Sequence, residues 1–141
     1  NERFSHNGTR QYATDIDLAI GTPIHAARAG TVTVVREDSD RGGPTKEFEH
    51  DSNYIFIEHS DGTIAAYFHL MKDGADVEEG QTVEAKQAIG RSGNTGWSTA
   101  PHLHFEVFVP DRNMDWQSQK VTFLTGIGPV TCPAYININA L

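Results

Sequence analysis

Apolar and polar residues alternate in short runs along most of the chain, and almost no stretch sustains the three-to-four-residue spacing of an amphipathic helix. Gly, Pro, Asn and Asp punctuate those runs, so the pattern predicts strands and tight turns. "GTPIHAARAGTVTVVRE" reads as two strands divided at Gly30, the second filled by the β-branched run 31–35. "NYIFIEHSDGTIAAYFHL" reads as a hairpin, because Asp61 and Gly62 between two apolar runs supply a turn whose left-handed backbone glycine adopts cheaply. "DVEEGQTVEAKQAIGRSGNTG" gives two further short strands turning at Glu79 and Gly80, then a glycine-rich loop over 92–96. Weaker strand signals follow at "QKVTFL" and "AYININ". Strands of this number and spacing predict a mainly β domain of antiparallel sheets, an open barrel or sandwich with long cleft-lining loops. The polar run 36–52, "REDSDRGGPTKEFEHDS", has no strand pattern, and a loop that long in a compact domain is expected to wall a cleft.

Composition narrows the class. A length of 141 residues fits one domain over 1–141 with a real core, and no apolar run reaches the length of a transmembrane segment. A formal net charge of −8 argues against nucleic acid as a partner, since phosphate binding depends on an excess of Lys and Arg. Cys132 is alone, so it forms no disulfide within the chain and leaves the compartment open. The opening "NERFSHNG" has neither an initiating Met nor an apolar leader, and upstream sequence is expected.

Candidate chemistry starts with "STAPHLHFEVF", residues 98–108, where His102 and His104 fall on one face of a strand. A catalytic zinc takes three protein ligands and keeps one open position, so an HxH pair needs donors from elsewhere. By itself the pair is weak, since a buried histidine is more often a hydrogen-bonded structural residue. "HNGTRQYATDIDLAIGTP" offers His6 with Asp15 or Asp17, two acids that share a strand face and that alternation cannot separate, and "AAYFHL" offers His69. His25, His50 and His59 read as structural or solvent-facing. "GRSGNTGWST" lacks the Lys and the following helix of a phosphate-binding loop and reads as a cleft-lining turn. Trp97, Tyr67 and Asn53 are candidates to touch a peptide or glycan, with core packing the commoner role for Tyr67.

Taken in order, "HNGTRQYATD", "GTPIHAARAG", "YFHL", "VEEGQTVEAKQAIGRSGNTG" and "STAPHLHFEV" resemble the lysostaphin-type, or LytM-type, zinc endopeptidases of bacterial cell walls. Residues 1–107 carry the strongest match, and 108–141 extend the same domain. The resemblance implies one zinc ion held by His6, Asp15 and His104, the family register selecting the acid six residues before Gly21. It implies that His69 and His102 face the water and the substrate without binding metal. Zinc would activate the water, His102 would act as base, and His69 would steady the oxyanion or assist proton transfer. Departures are an eight-residue gap between His6 and Asp15, Ile20 where relatives carry Pro near the GTP turn, and Ala100 for the usual Gly before PHLH.

The implied function is hydrolysis of peptide stems or crosslinks in peptidoglycan, at the cell envelope or after secretion. A second reading is a non-catalytic, zinc-stabilised wall-binding or activator module. A third is a lipoyl- or biotinyl-type carrier with Lys72 as attachment site, which has no use for an aspartate and several histidines at metal-site positions.

Overall fold

The computed structural model describes residues 8–110, 116–125, 128–131 and 135–136. Its strands are β1 (Thr14–Asp17), β2 (Pro23–His25), β3 (Gly30–Arg36), β4 (Gly42–Gly43), β5 (Tyr54–Glu58), β6 (Ile64–Phe68), β7 (Leu70–Ala75), β8 (Thr82–Val83), β9 (Ala88–Ser92), β10 (Gly96–Trp97), β11 (His102–Pro110), β12 (Trp116–Ser118), β13 (Thr122–Thr125), β14 (Gly128–Thr131) and β15 (Tyr135–Ile136). Among the described residues the only helical turns are short 3₁₀ pieces at Gly8–Arg10 and Lys46–Phe48. The mainly β, antiparallel expectation therefore holds.

The main sheet runs β15-β1-β11-β6-β5-β3-β8, with β12 added beside β11. A second sheet, β2-β9-β7, lies over one of its faces. Their shared core joins Ile24, Leu70 and Ile89 of the small sheet to Val32, Ile55, Ile57, Tyr67, Leu103 and Phe105 of the large one. Strand alternation leaves the other face of the large sheet to a different set, since Tyr54, Phe56, Phe68, Phe108 and Trp116 stack there in successive edge and face contacts.

The predicted turns are present. Gly62 (φ 81°) closes the β5–β6 hairpin, where the His59 amide donates to the Thr63 carbonyl at 2.8 Å, and Gly80 (φ 88°) turns the chain before β8. The two strands expected on either side of Gly30 are β2 and β3, and Gly30 is itself the first residue of β3, too close to the Glu58 carbonyl of β5 to admit a Cβ. The polar run 36–52 is not featureless: it contains β4, which pairs in parallel with β10, and the Lys46–Phe48 turn. Cys132 lies outside the described residues.

Candidate active site

Strand pairing builds the floor of the site. β1 runs antiparallel to β11 in a register that sets Asp15 opposite His104 and Asp17 opposite His102. Directly opposed side chains on one sheet face are neighbours, and Asp15 Oδ1 lies 2.9 Å from His104 Nδ1 with both residues buried. His102 Nε2 stands 3.7 Å from the same Asp15 oxygen. The acid that alternation could not choose is thus separated by register and contact: Asp15, not Asp17, meets His104.

His69 arrives by a different route. On β6, Phe68 pairs with His104, so simple alternation would send the next side chain toward the core. Instead His69 adopts φ 65°, a left-handed backbone uncommon outside glycine, which redirects its ring toward β11. Its amide donates to Ser52 Oγ at 3.1 Å and its Nδ1 lies 2.6 Å from the Thr95 carbonyl. The His69 and His102 ring centroids are 4.6 Å apart. His102 Nδ1 in turn meets the Ala100 carbonyl at 2.8 Å and Ser98 Oγ at 3.1 Å.

A carbonyl only accepts, so both Nδ1 atoms carry a proton, and the Nε2 atoms are left for the cleft. Burial, with His102 and His104 close by, holds the His69 imidazole neutral, its pKa lowered to about 3. Behind it, fully buried Asn53 donates its amide N–H to Thr95 Oγ1 at 3.0 Å, and Thr95 Oγ1 donates to the Leu70 carbonyl at 2.6 Å. Asn53 therefore fixes the shell behind His69 and is not a surface contact for peptide or glycan. Tyr67 is likewise buried, its hydroxyl accepting the Ala27 amide at 2.9 Å. Trp97 remains exposed and lines the cleft.

These groups open into one cleft of about 850 Å³, whose walls include Arg36, Pro44 and Glu49 of the long polar run. His50 also lines it, while buried His59 bonds the Ala29 carbonyl at 2.9 Å and His25 lies exposed on β2. Three residues with polar roles here had no sequence signal of their own: Thr95, Arg10 and Glu106. Glu106 is fully buried on the His104 face of β11, two residues on, with Oε1 3.9 Å from His104 Nε2.

The donor chemistry suits zinc, which takes imidazole nitrogen and carboxylate oxygen at about 2.0–2.2 Å. Tetrahedral donors at that range sit about 3.3 Å apart, close to the 2.9 Å between Asp15 Oδ1 and His104 Nδ1. Among the described residues no third donor completes a cage, and His6, the other expected ligand, lies outside them.

A buried acid–imidazole pair on the floor of an open cleft, with two further imidazoles beside it, is the layout of a metallopeptidase on an antiparallel β scaffold. The chain belongs to peptidase family M23, whose model matches residues 9–116. It is 34% identical over 122 residues, 86% of the chain, to the peptidoglycan DD-endopeptidase ShyA of Vibrio cholerae, and spans 24% of that protein's length. The chain thus covers about a quarter of this curated relative. The catalytic domain of lysostaphin from Staphylococcus simulans superposes with a TM-score of 0.58 at 35% identity, covering 76% of this chain and 74% of that one. A zinc-containing peptidase from Vibrio cholerae superposes with a TM-score of 0.54 at 37% identity, covering 72% of this chain and 26% of that one. The lysostaphin-type resemblance and its fold are borne out.

Proposed function

We propose that this domain hydrolyses amide bonds in the peptide stems or crosslinks of peptidoglycan, outside the cytoplasmic membrane, with one zinc ion held by His6, Asp15 and His104. The carrying observation is the 2.9 Å approach of Asp15 Oδ1 to His104 Nδ1 at the floor of a cleft that His69 and His102 also face. When bound, zinc supplies Lewis acidity and lowers the pKa of a water at the site.

His102 is the base. Its Nδ1–H is held by the Ala100 carbonyl, so Nε2 takes a proton on the cleft side and returns it to the departing amine. His69 is neutral with its own Nδ1–H committed to Thr95, and its Nε2 has no hydrogen to offer an oxyanion. Between the two roles open to it, it therefore assists proton transfer by accepting a hydrogen bond from the attacking water at Nε2, leaving the proton itself to His102, since a pKa of about 3 makes it too weak a base. The bound peptide lies along the wall formed by Trp97 and the polar run.

The test is to incubate the purified domain with intact sacculi and analyse released fragments by mass spectrometry. Release should stop with a chelator and return with zinc. His102→Ala should keep stoichiometric zinc and lose turnover; a variant as active as the parent overturns the base assignment, and a parent that releases no peptide overturns the function.

A further inference from the structure

Arg10 is a cation in the cleft that the hydrolytic scheme does not use. It ends the 3₁₀ turn Gly8–Arg10, its side chain is 44% exposed, and it lines the cleft together with Asp15, His102 and His104. Its guanidinium lies over two rings at once, 5.6 Å from the Phe68 centroid and 5.4 Å from that of Trp116. Below it, Nε is 3.8 Å from Glu106 Oε1, the same oxygen that lies 3.9 Å from His104 Nε2. Arg10 therefore stands at the metal end of the cleft, beside the expected ligand His104.

At 3.8 Å the contact with Glu106 is an ion pair without a hydrogen bond, and the guanidinium makes no hydrogen bond to any other described residue. Its planar fork of N–H donors matches a carboxylate in bidentate fashion. Two aromatic faces already hold the side chain, so a ligand loses little to ordering it. A buried carboxylate underneath steadies the cation without occupying the outer edge of the fork.

We propose that Arg10 binds a free carboxylate on the carbon that bears the scissile amide nitrogen. The domain would then prefer crosslinks made through a diamino acid carrying that carboxylate over bridges built of glycine alone, which have none beside an internal bond. This inference rests on the endopeptidase reading, deepening it from a bond type to a substrate class. The competing role for Arg10 is only to neutralise Glu106, which would make it indifferent to substrate.

The experiment uses the zinc-loaded protein and three substrates: a crosslinked peptide dimer with that carboxylate free, the same dimer with it amidated, and a glycine-bridged peptide. The parent should favour the free acid over the amide by about tenfold in kcat/KM, the low end expected for a half-exposed charge-assisted contact. Arg10→Gln should erase that preference, and Arg10→Lys should keep part of it. Equal rates for acid and amide in the parent, an equal fall on both in Arg10→Gln, or a preference for the glycine bridge would overturn the proposal while leaving the endopeptidase reading intact. A parent that cleaves none of the three overturns that reading instead. Calorimetric affinities for the uncleaved acid and amide dimers then decide Arg10, equal affinities rejecting it.

Discussion

Asn53→Ala should be among the most damaging single changes outside the proposed metal ligands. The Asn53 carboxamide is fully buried; its Oδ1 accepts the Ser39 amide at 3.0 Å, and its Nδ2 donates to the Ser39 carbonyl at 2.8 Å and to the Leu70 carbonyl at 3.4 Å. The last bond is long and is set aside. Two good bonds are worth about 1 kcal/mol each, and truncation also strands the buried Ser39 backbone groups, at about 1–3 kcal/mol more. The expected loss is about 3–5 kcal/mol, a large fraction of a domain's stability. Urea denaturation in chelator, which removes any contribution from bound metal, should show the midpoint fall by about 1.5–2.5 M at an unchanged slope near 2 kcal/mol/M. A loss below about 1 kcal/mol would refute the view that this amide ties the polar run to the strands behind His69.

Three further outcomes follow from the geometry. Asp15→Asn keeps the side-chain shape but removes the charge facing His104, so dialysed protein should lose stoichiometric zinc while keeping its far-UV circular dichroism; full zinc occupancy by elemental analysis would contradict its role. His69 titrates near 6.5 when unfolded but at about 3 when folded, so the unfolded chain binds the extra proton and metal-free stability, complete above about pH 6.5, falls toward pH 3 by up to about 1.4 kcal/mol per unit. His69→Asn, which tolerates the left-handed backbone, should flatten that slope in denaturant titrations across the window. Gly30→Ala drives a Cβ into the Glu58 carbonyl and to within 2.8 Å of the Ile57 side chain, and should cost about 1–3 kcal/mol in thermal or urea unfolding.

The parts of the site that could be read from the chain are those encoded locally. His102 and His104 announce themselves because strand alternation is a local rule, and Asp61 with Gly62 marks its turn for the same reason. Asp15 and Asp17 obey that rule equally, and the register between β1 and β11 that distinguishes them is a property of strands far apart in sequence. His69 breaks the rule: its φ of 65° is imposed by Ser52, Thr95 and the strand that follows, none of which its own neighbourhood reveals. Arg10 and Glu106 look like ordinary charged residues until folding puts one over two aromatic rings and the other beneath His104. Asn53 was readable as a surface contact because Asn usually is one, and only the converging Ser39 and Leu70 backbones make it a core residue.

The Asp15–His104 contact joins positions 89 apart in the chain. A contact of that span closes late, because the entropy of closing the intervening loop must be met before the contact contributes anything. An unfolded chain or an isolated hairpin offers zinc no such pair, so with Asp15 and His104 as the proposed ligands, loading would report that the first and eleventh strands have found each other. The rate at which zinc becomes resistant to a chelator during refolding would then measure completion of the topology, and would time the moment at which the chain first becomes able to cut anything.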